Sequence, residues 1–403
     1  MTDHRVQQAE VAVIGGGVVG TAVAFHLAAL GKDVCLLERG DVASGASGSC
    51  DGYLFLLSKV PGPHLQLARE SLRLHQELAA SEGGSSLEFR QDGGMLVARS
   101  EEAWDGLKGL VQRQREYGIP VELLERDEAL SRQPALSPRI RGAAFSTFNG
   151  QVNPVRLAHY LARQAEGMGA RIMVRSEVLG VEHSPGTGYR LLLTGGRFLR
   201  ARVLVNAAGA WADPVARLTG FRLPVIPRRG QVAVTEAVDP LLNTPMLEAG
   251  YLAVKFSAPG QSRSPGGVPP AARPAGIAFG VEQTAAGNLL IGSSREEAGF
   301  DRRTNPAVIG SILRNALEFL PSLNGLKIIR TYAGLRPRTP DGLPLLGPLP
   351  GRPDYFTAVG HEGDGVTLAP VTGRLLAEWI VFGEPSLAFP EFAPERFGGF
   401  GRA

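Results

Sequence analysis

Apolar and polar positions change period within the first forty residues. Residues 10–15, EVAVIG, form a short apolar run rich in β-branched side chains and read as a buried strand. GGGVVG follows at once. Residues 21–31, TAVAFHLAALG, carry apolar positions at helical spacing and stop at a glycine. Residues 33–38, DVCLLE, read as a second buried strand, so the three segments make one βαβ unit. Leu65, Ala68, Leu72 and Ala79 recur on one face and predict a helix over 63–82. Further helices are predicted over 101–117 and over 154–167, the latter opening on a proline. RIMVRSEVLGVEH reads as two short strands, and ARVLVNAAGAW as a strand running into a glycine turn and a helix. Residues 222–304 are rich in strand patterns, interrupted at 257–276 by a Pro-, Gly- and Ser-rich stretch read as a flexible loop. A helix near 306–320, the strand YFTAVG and a helix over 366–382 complete the chain.

Gly15, Gly17 and Gly20 form G-x-G-x-x-G between the first strand and its helix. The first glycine permits the tight turn, the second lets backbone approach a pyrophosphate, and the third lets helix and strand pack closely. The helix start offers unpaired N–H groups and partial positive charge to phosphates. Glu38 ends the second strand, where a carboxylate accepts from ribose hydroxyls and repels a 2′-phosphate. The small and hydroxyl residues of RGDVASGASGSCDGY suit a flavin lying against backbone. A second strand–glycine unit, VLVNAAGAWAD, lies far along the chain. Two such separated segments point to FAD bound in an extended form. Strands alternate with helices at both ends, which predicts an α/β fold. Its Rossmann-like FAD-binding domain is discontinuous (1–85, 145–220 and 325–403). An antiparallel-sheet α+β substrate domain (86–144 and 221–324) is inserted in it.

Composition narrows the class. A chain of 403 residues with 44% hydrophobic and 20% charged residues is a globular protein of two or three domains. A net charge of +3 without a long basic run argues against a nucleic-acid surface. Two cysteines, Cys35 and Cys50, exclude a disulfide scaffold and a four-thiolate cluster, and no metal is expected. The first ten residues lack the basic-then-apolar order of a signal peptide. The apolar stretch from Val18 to Leu30 is interrupted and too short to span a bilayer. The expected location is cytoplasmic, with peripheral association at the inner face of the membrane left open. No H-E-x-x-H, serine elbow or P-loop lysine appears, so protease, hydrolase and NTPase readings lack support.

YAGLRPRTPDGLPLLGP sets Arg336 between Leu335 and Pro337. A guanidinium in that semi-apolar setting can clamp a carboxylate in bidentate fashion. A structural arginine making salt bridges is the competing reading. In VGHEGDGVTLAP, Gly360, Gly363 and Gly365 allow close backbone approach. The N–H groups opening the next helix then face the part of a flavin where negative charge grows on reduction. The competing reading makes His361, Glu362 and Asp364 a solvated loop, with Asp364 as a helix cap.

GGGVVG with Glu38 and Arg39, GASGS, NAAGAW, GLRPRTPDG and GHEGDGVTLAP together resemble the D-amino-acid-oxidase superfamily of FAD enzymes over nearly the whole chain. GASGSCDGYLFLLSK, EQTAAGNLLIGSSREEAGFD and GHEGDGVTLAPVTG are most similar to a narrower group. That group holds D-hydroxyproline dehydrogenase, archaeal-type proline dehydrogenase catalytic subunits, opine oxidase and the flavin subunit of hydrogen cyanide synthase. The resemblance implies adenosine and pyrophosphate contacts at Gly15, Gly17, Val18, Val19, Gly20, Glu38 and Arg39. It implies flavin-loop contacts at Ala46, Ser47, Ser49, Gly52 and Tyr53, and adenine contact at Val178. Further cofactor contacts are implied at Ala208, Gly209, Trp211, Gly334 and Arg336. His361, Glu362, Gly363, Asp364, Gly365, Val366 and Thr367 match the loop under the isoalloxazine. Arg336 matches the arginine that binds the substrate carboxylate and is the expected catalytic residue, with Tyr53, Tyr251 and Glu362 completing the substrate side. Gly363 stands where glycine oxidases have a second arginine. The C-terminal half has no cysteine and the early loop no histidine for a covalent link, so FAD is expected to be non-covalent.

The expected function is FAD-dependent dehydrogenation of the C–N bond of a small amino or imino acid. Electrons would pass to a quinone or to small iron–sulfur or flavoprotein partner subunits in a hetero-oligomer. An oxygen-using glycine or sarcosine oxidase and a non-catalytic flavin scaffold are the alternatives. Lys255 and Lys327 are the only lysines of the second half, and neither is in a flavin loop, which favours the dehydrogenase.

Overall fold

The GGGVVG turn joins β1 (Gln7–Ile14) to α1 (Val18–Ala29) in the computed structural model, which describes residues 7–251 and 276–398. β2 (Val34–Leu37) lies parallel to β1, with Val11 opposite Val34 and Ile14 opposite Leu37. All four β2 residues are buried, as a strand covered on both faces requires. The remaining strands of this first sheet come from the middle and the end of the chain. β8 (Arg171–Met173) flanks β2, and β11 (Phe198–Asn206) runs parallel to β1 on its other side. β18 (Arg352–Val359) adds to β11 in parallel, and β17 (Leu345–Leu349) folds back on β18. β9 (Val178–Ser184) and β10 (Gly188–Leu193) form an antiparallel ribbon on β11.

The second sheet has the order β16 (Ile328–Arg338), β12 (Ile226–Ala237), β15 (Asn288–Gly292), β14 (Gly280–Gln283), β13 (Met246–Glu248), β4 (Gly94–Ala98), β6 (Gly142–Ser146), β5 (Glu122–Glu125). The α/β fold with two sheets is as expected. The second sheet is mixed rather than purely antiparallel, because β13 and β4 run parallel. β16 also departs from the expected boundary at 325: it pairs with β12 along eleven residues, and the chain returns to the first sheet only after Arg338. β6 likewise runs across the expected boundary at 144. A short pair, β3 (Tyr53–Leu54) with β7 (Gly150–Gln151), stands apart.

α1 and α2 (Pro63–Ala80) pack against the C-terminal helix Gly365–Phe382. A Cβ on Gly373 would lie 2.5 Å from the Ala22 backbone, so glycine lets α1 and the C-terminal helix close on each other. By length and apolar composition the C-terminal helix would suffice to cross a membrane, a stretch the sequence reading passed over. Leu368, Val371, Leu375 and Leu376 are buried in the core beside α1 and α2. A second core lies on the other sheet, where Phe279 stacks on Phe319 of the helix Pro306–Phe319 at 4.4 Å. The expected loop at 257–276 lies, but for its last residue, outside the described residues.

Candidate functional site

A cavity of about 760 Å³ lies where the two sheets meet. That is within the range of small-molecule sites, about 300–1,000 Å³. Its walls come from the β1–α1 turn, residues 37–53, 176–179 and 207–218, strands β12 and β16, and residues 358–366.

At the first-sheet end, Gly15 has φ +117°, and a Cβ there would meet the Ala207 carbonyl oxygen at 2.4 Å. A Cβ on Gly20 would lie 1.9 Å from the Gly15 oxygen, so Gly20 packs helix on turn behind the wall. Gly15, Gly17, Val18 and Val19 line the cavity. Ser47 accepts from the Val18 N–H at 3.1 Å and ties the small-residue loop to the helix start. Glu38 accepts from the N–H groups of Gly16 and Gly40, each at 2.7 Å, which fixes its carboxylate beside the turn. Arg39 lies over the Trp211 ring at 3.9 Å, and Trp211 stacks on Phe300. Val178, Ala208, Gly209 and Trp211 line this end, and Ala46, Ser47, Ser49 and Tyr53 the middle.

At the other end Arg336 crosses β12. Its Nη1 donates to the Ser294 carbonyl at 3.0 Å and its Nη2 to the Ser293 hydroxyl at 2.9 Å. A Cβ on Gly230 would sit 2.0 Å from Nη1, so only glycine admits the guanidinium there. A guanidinium has five N–H donors, and these two bonds leave others for a ligand. Tyr251, Gly334, Gly363, Gly365 and Val366 line the same region. Glu362 lines it too, at φ +48°, and faces two buried arginines, Arg228 at 3.6 Å and Arg295 at 3.5 Å. Arg295 lies over the Tyr251 ring at 4.4 Å. The first effect on Arg228 is burial, followed by the charge of Arg295; together they lower it to about 10. His361 bonds Thr372 at 3.0 Å, and burial lowers its ring to about 4, so it is neutral at neutral pH.

Four expected cofactor residues stand behind the wall: Gly20, Gly52, Asp364 and Thr367. Asp364 turns to Lys59 (2.7 Å) and His64 (3.1 Å), and its side chain does not cap the helix it precedes. Thr367 donates to the Tyr53 carbonyl at 3.1 Å. Gly52 donates its N–H to both oxygens of Glu282 at 2.9 and 3.0 Å. Sequence reasoning missed Arg228, Arg295 and Glu282, and three further charged groups. Asp51 lines the cavity from the small-residue loop. Arg302 lines it and reaches Ser44 and Ser49 from the second sheet's side. Lys59 is buried under the last loop. An acid inside an otherwise small-residue loop was the available signal, and it pointed at Asp41 as much as at Asp51.

The donor set fits FAD. Glycine backbone and a helix start line one end, where they would hold the pyrophosphate, and the Glu38 carboxylate beside them would accept from ribose hydroxyls. At the far end the start of the C-terminal helix faces the cavity. The chain matches the family model described as DAO, FAD dependent oxidoreductase, over residues 10–379. It is similar to glycine oxidase of Geobacillus kaustophilus, 31% identical over 399 residues, covering 97% of each chain. The crystal structure of glycine oxidase from Geobacillus kaustophilus superposes with TM-score 0.85 at 30% identity, covering 98% of this chain and 100% of the other. Hydrogen cyanide synthase subunit HcnC of Pseudomonas aeruginosa is 26% identical over 408 residues, 91% of each chain. L-proline dehydrogenase from P. horikoshii, at 23% identity and TM-score 0.85 over 97% of this chain and 98% of the other, shares the fold.

Proposed function

This chain belongs to the DAO family of FAD-dependent oxidoreductases, with FAD as cofactor and the CH–NH bond of an amino acid as its target, and from there we propose that it is an oxidase of a small α-amino acid of the glycine or sarcosine kind. The sequence motifs alone favoured a D-hydroxyproline or proline dehydrogenase. A relative named glycine oxidase, at 31% identity over almost the whole chain, moves the reading toward the oxidase. One observation carries it: Arg336, pinned by Ser293 and Ser294 against Gly230, presents free N–H donors to the cavity.

Arg336 takes the substrate carboxylate and so orients the α-carbon. Tyr53 and Tyr251 stand beside it; burial, with the charge of Asp51 next, pushes the Tyr53 phenol up, so it remains a hydrogen-bond donor. His361 stays neutral and adds no positive charge. Val232, Leu335 and Val366 supply apolar wall that excludes water. FAD, held non-covalently, supplies the acceptor for the two electrons released as the C–N single bond becomes an imine.

Arg336→Ala should cut turnover by about thirtyfold to several thousandfold while the protein stays yellow, since truncating one partner of a buried charge pair costs about 2–5 kcal/mol. Turnover within a few-fold of wild type would refute the role. Anaerobic titration with glycine, sarcosine, L-proline, D-proline and D-hydroxyproline should bleach the flavin best with glycine or sarcosine. A flavin that no amine bleaches would make the chain a scaffold.

One observation favours a second reading, a dehydrogenase that hands electrons to an iron–sulfur or flavoprotein partner. No lysine lines the cavity among the described residues. Lys59 is committed to Asp364, and Lys255 lies outside the described residues. HcnC, by its name, is a subunit of a larger enzyme. Stopped-flow mixing of the reduced protein with air separates the two: rapid return of the oxidised spectrum supports the oxidase, slow return the dehydrogenase.

A further inference from the structure

The loop that lines the middle of the cavity carries two acids, Asp41 and Asp51, and of these Asp51 lines the cavity. The Cys50 carbonyl accepts from the Tyr332 hydroxyl at 3.2 Å. On the other side, the Gly52 N–H is held by both oxygens of Glu282. Before them, the Ser49 carbonyl backs onto β16, where a Cβ on Gly334 would lie 2.5 Å from it. Asp51 lines the same cavity as Arg336, near enough that the guanidinium charge acts on its carboxyl.

The charged and titratable groups facing it come from four segments. Arg336 on β16 and Arg295 after β15 are the cations. Glu282 on β14, Cys50 and Tyr53 on the loop, and Tyr332 on β16 complete the set. Burial pushes the Cys50 thiol and both phenols up, so they stay uncharged. Burial first, and the Asp51 charge second, push Glu282 up to about 8, so near neutrality it is largely protonated. Burial raises Asp51 as well, but the charge of Arg336, the next cause, and that of Arg295 pull it down, so Asp51 is the acid that the two arginines favour as an anion, beside the guanidinium read above as the carboxylate site.

An α-amino acid in neutral water is a zwitterion. Oxidation needs the nitrogen lone pair, so the ammonium must first lose a proton. A guanidinium and a carboxylate facing one small cavity match the two ends of that molecule. We propose that Asp51 binds the substrate ammonium and removes one proton from it, acting as the catalytic base for the amine. The N–H bond breaks heterolytically, the proton goes to an Asp51 oxygen, and a neutral amine and a neutral carboxylic acid result. The nitrogen lone pair then forms the C=N bond as the Cα–H bond breaks. That hydrogen and both its electrons pass to the bound flavin, and an iminium leaves. Asp51 returns its proton to solvent. The proposal rests on Arg336 as the carboxylate site and adds the group that receives the other end.

The test uses the holoenzyme and Asp51→Asn, which keeps the side chain's shape. In anaerobic single-turnover reduction by glycine or sarcosine, the ratio of reduction rate to substrate dissociation constant should fall about a hundredfold or more at pH 7, the range of a lost acid–base group. The deficit should shrink steadily toward pH 10, where the free amine is already abundant in solution. Acetate, a carboxylate without an amine, should bind Asp51→Asn within about twofold of wild type by flavin difference spectroscopy, and should lose binding in Arg336→Ala. A deficit that does not change with pH, a loss under threefold, or an equal loss of acetate binding in Asp51→Asn would overturn the role of Asp51. Acetate that fails to bind wild type would instead overturn the Arg336 reading, and this proposal with it. If Asp51→Asn does not retain flavin, Asp51→Glu takes its place: retained pH dependence at reduced rate supports the base, and a pH-independent deficit rejects it.

Discussion

Gly230 shows how much a missing side chain can decide. Arg336 crosses β12 in space that a methyl group would fill, with only 2.0 Å between that position and Nη1. Gly230→Ala must displace the guanidinium, because the clash is with the far end of a flexible side chain, which gives way before backbone does. Its hydrogen bonds to Ser293 and Ser294 would then break. The expected outcome is a rise of about tenfold or more in the substrate dissociation constant with flavin content unchanged, read by anaerobic titration. An unaltered constant would show that the placement of Arg336 is not what binds the carboxylate. The sequence made Arg336 visible through its Leu and Pro neighbours, but not Gly230. Their partnership is a register fact: Gly230 pairs with Gly334 across β12 and β16, a hundred residues apart in the chain.

At the scale of elements, the start of the C-terminal helix is held by side chains from the first third of the chain. Lys59 and His64 take Asp364, and His75 on α2 donates to the carbonyls of Val366 and Thr367. Thr367 bonds back to Tyr53. The Lys59–Asp364 pair is nearly inaccessible, at 2% and 3% side-chain exposure. Removing one partner leaves the other charge stranded, at a cost of about 3–5 kcal/mol. Lys59→Met should therefore lose about that much stability in urea unfolding; a loss under about 1 kcal/mol would mean that His64 alone suffices for Asp364. The helix itself was legible from its apolar spacing, and so was the glycine-rich loop before it. Asp364 was legible only as an acid in the right place for a cap or a cofactor contact. Its true partners lie some 300 positions away, and no local pattern encodes them.

For the molecule as a whole, buried titratable groups set a stability optimum. His26, His75 and His361 are lowered, chiefly by burial, from 6.5 to about 4. Below pH 6.5 the unfolded chain binds these protons and the folded one does not, so stability falls as pH drops toward 4. Glu282 works in the opposite sense. Burial raises it to about 8, so it is protonated when folded but ionised when unfolded, and stability falls as pH rises from 4.5 to 8. Asp51, raised by burial, acts in the same sense as Glu282, so three histidines outweigh two carboxyls below pH 6.5, and the carboxyls act without them above it. The melting temperature should therefore peak near pH 6.5, and Glu282→Gln should lessen the alkaline decline. A melting temperature flat from pH 4 to 8 would contradict this account.

The α/β fold with two sheets was legible because βαβ spacing appears at both ends of the chain and strand-rich sequence in between. The assignment of β16 was not. Its alternation would suit either sheet, and only its pairing with β12 places it in the second. Asp51, Arg295 and Glu282 escaped notice for a related reason: they meet only after both sheets have formed.

The interleaved strand order also sets a timetable for biosynthesis. The Leu204–Asn206 edge of β11 is closed by Tyr355–Thr357, which leave the ribosome about 150 residues later. Until then the growing polypeptide carries an open, largely apolar margin beside β1. The first sheet therefore matures last, and the nascent chain depends on its own final segment, or on a chaperone until that segment emerges, to cover that margin.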